Sequence, residues 1–288
     1  MSDCIITRRD GFVTIEFDNY KIYSDTLNRY IPTSLSVARR WLAGASVGDY
    51  ALFAGGGTTG SGTVYNTVDA YSTNLTRSTP TALSIARQAL AGASVGNYAL
   101  FAGGTTPSNS AVVDAYYTNL TRSTPTVLSV AREWMGATSV GNYALFAGGG
   151  YYGGSTFNDT VDAYDTNLTR STPTILSVTR GSLAGASVGN YALFAGGRSS
   201  SSYSNVVDAY NTDLIRSTPT VLSVARHTLA GASVGEYALF AGGYTGSYSN
   251  VVDAYNTSLE RSTPTTLSAA RNVLAGTSVG NYALFAGG

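Results

Sequence analysis

Residues 90–104 read LAGASVGNYALFAGG. Small and apolar residues in LAGASV are followed by Gly96-Asn97, a pair that suits a tight turn between two strands. YALFA then reads as the returning strand, stopped by Gly103-Gly104. The string YALFAGG starts at Tyr50, Tyr98, Tyr143, Tyr191, Tyr237 and Tyr282, a step of 45 to 48 residues. A fixed period of this length marks a repeat architecture.

Working outward, each copy carries the frame VDAYxTNLTRSTPTxLSxARxxLAGASVGNYALFAGG. Four short strands fit it. The innermost is LAGASV, whose small side chains suit a crowded ring. The second is YALFA and the third is VVDAY. The outermost follows RSTPT, where a proline costs little because its missing N–H faces outward. Such units at this period predict propeller blades. The expected fold is all-β: a six-bladed β-propeller with four antiparallel strands per blade.

The last copy ends at Gly288 after its second strand. The missing partners stand at the other end, where residues 20–39, YKIYSDTLNRYIPTSLSVAR, align with residues 68–87, VDAYSTNLTRSTPTALSIAR. The reading is therefore a ring closed by N-terminal outer strands on C-terminal inner strands. Residues 1–19 form an N-terminal extension whose FVTIEF could add a strand, and residues 20–288 form a single propeller.

The paired glycines (Gly103-Gly104, Gly196-Gly197), the Asp69 to Tyr71 strand and the arginine some ten residues before each framework tyrosine resemble kelch repeats. The likeness covers residues 20–288. It departs where kelch repeats carry a tryptophan in the outer strand; Thr76-Arg77 stand there. The resemblance implies ligand-binding adaptors, lectin-like proteins or oxidases, with the ligand on one face, and does not choose among them.

Composition narrows the partners. Charged residues are 12% and the formal net charge is +0. No basic field favours nucleic acid or an anionic membrane, and no apolar stretch reaches spanning length. Cys4 is the one cysteine, so no internal disulfide forms. No signal peptide is visible; the compartment is open, with a virion or cell surface among the options. A monomeric propeller is expected.

Framework residues read as structural. The Tyr, Leu and Phe of YALF should pack between blades. Arg39, Arg87, Arg132, Arg180, Arg226 and Arg271 should bond backbone at the start of the inner strand; the alternative is a positive ring at the channel mouth. Asp69/Arg77 and Asp114/Arg122 read as outer ion pairs, each worth about 0–1 kcal/mol and singly dispensable. The sequons at Asn74, Asn119 and Asn167 read as turn chemistry.

The copies differ in two places. One is the loop between the second and third strands: residues 57–67 (GTTGSGTVYNT), 105–112, 150–160, 198–206 (RSSSSYSNV) and 244–251 (YTGSYSNV). The other is the pair after the repeated arginine: Arg40-Trp41, Gln88-Ala89, Glu133-Trp134, Gly181-Ser182, His227-Thr228 and Asn272-Val273. Alternating strand direction puts both at the same end of every blade. Trp41 and Trp134 share one repeat position, and Tyr65, Tyr151, Tyr152, Tyr203, Tyr244 and Tyr248 lie in the variable loops, with Arg198 and His227 beside them. Aromatic rings among Ser, Gly, Thr and Asn suit adaptable recognition.

Catalysis finds no constellation. A histidine-based metal or copper site needs more than His227, the one histidine, which reads as an exposed loop residue. Glu133 and Asp159 are too dispersed for glycoside hydrolysis. The expected role is a non-catalytic binding propeller for a glycan or protein segment, with no cofactor or metal. The alternatives are a structural virion or surface component and an engineered repeat propeller without a natural ligand.

Overall fold

The computed structural model describes the chain apart from residues 1–4, 10–11, 18–19, 23–31, 59–61 and 151–155. It divides into two units, Met1–Ser34 and Leu35–Gly288. The first contains one antiparallel sheet of Ile5–Arg9, Phe12–Phe17 and Tyr20–Ile22. FVTIEF is its central strand, and Phe17 stands opposite Tyr20.

The second unit is all strand and turn among its described residues. Five sheets have four antiparallel strands, the last has two, Leu274–Val279 and Tyr282–Gly287, and Thr105–Thr106 with Ser108–Asn109 makes a short hairpin beside the second. The second sheet shows the common register. Ala91–Val95 pairs with Tyr98–Ala102, which pairs with Val113–Tyr117, which pairs with Arg122–Ser123. The outermost strand is the two residues Arg-Ser and ends before the proline, earlier than the sequence suggests. Beyond Pro125 the chain turns back, and Ser129 N donates to Asp162 of the following sheet (3.0 Å).

The period of two in YALF explains how sheets stack. Leu52, Ala54, Val68 and Ala70 of the first sheet share a core with Ala99, Phe101 and Tyr116 of the second. Leu100, Ala102, Val113 and Ala115 pack the other way, against Ala144, Phe146 and Tyr164. Leucine thus faces one neighbour and phenylalanine the other. Phe101 meets Tyr116 edge-on at 5.9 Å, and the Tyr116 hydroxyl donates to Thr81 O of the preceding copy (2.7 Å).

The framework charges overturn two expectations. Asp114 has no solvent exposure and lies between Arg87 Nη1 of the preceding copy (2.8 Å) and Arg122 Nη1 of its own outer strand (2.9 Å). The same triplet recurs at Asp69, Asp162, Asp208 and Asp253. These are buried inter-blade clamps rather than outer pairs. Nor do the repeated arginines form a positive ring: Arg87, Arg132, Arg180 and Arg226 are fully buried and neutralised. Arg87 Nη2 also donates to Phe101 O (2.9 Å), the second strand of the next sheet, not the start of the inner one. Burial pulls the Arg87 guanidinium below its ordinary pKa, with Asp114 opposing it. At Asp69, burial pushes the carboxyl up, but the bonds from Ser36 and Arg39 outweigh it and hold it below its ordinary value.

The sequon asparagines do turn work. Asn119 Oδ1 accepts from Thr121 N (3.0 Å) and Asn74 Oδ1 from Thr76 N (3.3 Å), while Asn167 N donates to Asp165 Oδ1 (2.9 Å).

Candidate functional site

The second residue of each variable junction pair adopts a left-handed backbone: Trp41, Ala89, Trp134, Ser182, Thr228 and Val273 have φ between 51° and 57°. This conformation is costly for residues with a Cβ, more so for the β-branched Thr228 and Val273. It is held by a succession of backbone bonds. Ala89 N donates to Trp41 O (2.8 Å), Trp134 N to Ala89 O (3.1 Å), Ser182 N to Trp134 O (2.9 Å), Thr228 N to Ser182 O (2.9 Å) and Val273 N to Thr228 O (3.0 Å). One strand of hydrogen bonds therefore passes from copy to copy. The paired glycines make room for it: a Cβ on Gly104 would stand 2.6 Å from Gln88 O.

All six junction residues line one recess of about 160 Å³. Its floor is Leu42, Leu90, Met135, Leu183, Leu229 and Leu274. A neighbouring cavity is walled by Ala and Gly of the inner strands, such as Ala91 and Gly92. Trp41 and Trp134, two copies apart, meet inside the recess with ring centroids 5.9 Å apart at 77°. The Arg40 guanidinium lies 3.7 Å over the Trp41 ring, a cation–π contact. The shared repeat position of the two tryptophans was visible in sequence; their contact was not.

Around the recess the variable loops join the junctions by short bridges. Arg40 pairs with Gly57 and Gly57 with Val64; Glu133 with Gly150 and Gly150 with Phe157; Gly181 with Arg198 and Arg198 with Tyr203; His227 with Tyr244 and Tyr244 with Tyr248. Each copy thus offers equivalent rim positions, and the variation between copies is a variation of side chains on a common backbone.

The fourth and fifth copies bring together four of the expected aromatic side chains. The His227 ring lies 4.9 Å from Tyr203 and 5.6 Å from Tyr244; Tyr244 lies 6.0 Å from Tyr203 and 6.2 Å from Tyr248. His227 is not the exposed loop residue expected from sequence: it is 9% exposed, because tyrosines of two loops close over it. Its Nδ1 is buried without a hydrogen-bond partner. Burial, then the charge of Arg198, pull the imidazole down to about 4. Tyr203 and Tyr248 keep 39% and 62% of their surface open.

Tyr65 stands apart. Its backbone accepts from Arg87 N (3.1 Å) and donates to Gly56 O (2.8 Å), and its side chain is half-buried outside the tyrosine cluster. Tyr151, Tyr152 and Cys4 lie outside the described residues. Two rim residues escaped the sequence reading. Phe157 occupies the position of Tyr203 and Tyr248, a match hidden by unequal loop lengths, and the Arg198 guanidinium lies 5.7 Å from its ring. Arg40 was overlooked because its role depends on Trp41 turning under it. Among the described residues no group of three or more His, Cys, Asp or Glu could hold a metal ion, and no described helix is long and apolar enough to cross a membrane. No family model matches the chain, and no curated protein matches it in sequence.

Proposed function

We propose that the chain is a non-catalytic, six-bladed, kelch-like binding propeller that holds a glycan or a protein segment on the face of the variable loops and junctions. The observation that carries the reading is the Trp41–Trp134 contact inside a recess lined by all six junctions. Partly exposed aromatic rings at a concave mouth, ringed by small hydroxylated side chains, suit sugar rings as well as peptide side chains. The test is a glycan-array and peptide-library screen of the wild type beside the Trp41→Ala/Trp134→Ala double variant. Binding lost in the variant with its melting temperature retained supports the recess; binding unaffected by the double change removes it.

The same reading includes ring closure. Ser36 N and Arg39 reach Asp69 at 3.1 and 2.8 Å, as Ser84 and Arg87 reach Asp114. Residues 35–39 therefore act as the connector that follows a blade's outer strand, and the blade they imply is the sixth. Its two-stranded sheet leaves Tyr282–Gly287 with one partner among the described residues. Residues 20–24 are the partner by alignment, although Tyr20–Ile22 pairs with Phe12–Phe17 in the structure. A Ser24→Cys/Tyr282→Cys pair in a Cys4→Ser background tests it: oxidation should give an intramolecular crosslink, and its absence would count against closure.

A second reading, a structural part of a larger assembly, is favoured by one observation. Val127 and Val130, Ile175 and Val178, and Val221 and Val224 repeat as apolar pairs 39% to 50% exposed. Concentration-dependent self-association abolished by changing these pairs to serine would support it.

A further inference from the structure

The connector that enters each blade grips that blade's third strand in a fixed way. In five blades a connector serine N donates to the strand's aspartate and a connector arginine pairs with the same carboxylate, as Ser223 and Arg226 do with Asp253 (3.0 and 2.8 Å). In four of them the strand's tyrosine hydroxyl donates to a connector threonine carbonyl, as Tyr255 does to Thr220 O (2.8 Å). The last connector repeats these groups at Thr265, Ser268 and Arg271. Among the described residues no aspartate or tyrosine meets them, and Arg271 Nη1 donates to Gly287 O instead (3.0 Å).

We propose that this connector and the edge of Tyr282–Gly287 form a receptor for an extended strand of another polypeptide, one that carries aspartate, a small residue and tyrosine in succession. The inference rests on the reading above that the last sheet is an unfinished sixth blade.

Three features define the partner. The first is the backbone: Tyr282–Gly287 is paired on one side among the described residues, so its outer edge can accept an added strand. The second is charge. Arg271 is the framework arginine without an acid among the described residues, and a guanidinium on a half-buried edge favours a carboxylate. The third is spacing. Aspartate and tyrosine two residues apart lie on one face of a strand, the face the connector reads, and the small residue between them would stand opposite Leu284 as Ala254 stands opposite Leu239.

The chain's own aligned segment fits less well. It has Lys21 at the aspartate position and Ile22 at the small one, where the fifth blade has Asp253 without exposure and Ala254 at 4%. Lysine would set a second cation at the arginine, and isoleucine would crowd a site built for alanine. Tyr20–Ile22 is also already paired with Phe12–Phe17.

The probe is a synthetic peptide of residues 250–263, NVVDAYNTSLERST, beside the same peptide carrying Asp253→Lys. Titration calorimetry on the full chain at low salt should show the first binding about tenfold or more tightly than the second. Arg271→Gln should bring the two affinities together, with a thermal melt to show that the variant is folded. Position is read with a Cys4→Ser/Tyr282→Cys chain and a peptide carrying Asn256→Cys. Tyr237 stands opposite Asn256 in the fifth blade, so oxidation should link positions 282 and 256. Equal binding of the two peptides, binding of neither, or binding without that link overturns the proposal. Self-association of the chain that blocks the peptide overturns it in favour of a second copy. The Ser24→Cys/Tyr282→Cys crosslink judges the sixth blade separately: if it forms and the peptide does not bind, the blade stands and only the partner strand is removed.

Discussion

Asp114 joins two copies of the repeat through a single carboxylate. Its Oδ1 takes Ser84 N of the preceding copy (3.1 Å) together with Arg122, and its Oδ2 takes Arg87. Arg87 has no exposure, whereas Arg122 keeps 25% of its side chain open. The two arginines should therefore differ when the carboxylate is changed. Asp114→Asn leaves a buried guanidinium without its counter-charge and should cost about 3–5 kcal/mol; Arg122→Ala should cost about 1 kcal/mol or less. Urea unfolding of the two variants measures the difference, and equal small losses would contradict a buried clamp. The ring cluster at His227 offers a second residue-scale outcome. Its folded pKa of about 4 lies below the unfolded value of 6.5. Between those values the unfolded chain binds a proton that the folded chain refuses, so stability should fall as pH drops from 6.5 towards 4. Above 6.5 the group contributes no pH dependence. A His227→Gln variant should show a flatter melting-temperature profile across that window, and an unchanged profile would mean that His227 does not titrate as described.

At the scale of elements, the inner strands of the fourth and fifth copies approach closely at their glycines. A Cβ on Gly231 would overlap Gly185 O of the neighbouring inner strand, a backbone atom that cannot yield locally. Gly235, in the turn that follows, has a φ of 52° and open space around its missing side chain. Gly231→Ala should therefore disrupt packing and cost more than about 2 kcal/mol, by analogy with overpacked cores. Gly235→Ala meets the left-handed penalty alone, about 1–2 kcal/mol. Thermal melts of the two variants rank them, and a reversed order would mean that the inner strands are looser than described. The turn leucines show the opposite compromise. Leu120 takes φ 66°, where glycine would be unstrained, and packs on the core between the first two sheets. Apolar burial offsets backbone strain at that turn.

For the whole molecule, the unmatched edge is the last sheet. An exposed, apolar strand edge recruits other chains, and Tyr282–Gly287 carries the same YALFAG that is buried in earlier copies. If residues 20–34 complete the sixth blade, a chain starting at Leu35 should expose that edge. It should melt at lower temperature and form oligomers in light scattering with size-exclusion chromatography. A truncated chain that stays monomeric and equally stable would show that closure does not depend on the N-terminal residues.

Strand type, repeat number and the shared end of the variable segments were legible in the sequence, because a period of two and paired glycines are local signals that each copy restates. YALF alone implies two packing faces, since alternate side chains of a strand point apart. What Asp114 and His227 do was not legible. Their partners come from other copies, Arg87 in the preceding blade and Tyr203 in the preceding loop, and pairing at that distance depends on how the sheets stack. The same holds for the tryptophans. Repetition put Trp41 and Trp134 in equivalent positions, but only left-handed junctions turned inward around a common recess brought their rings within 5.9 Å. Local chemistry determined the blades; burial and the backbone bonds between copies decided the site.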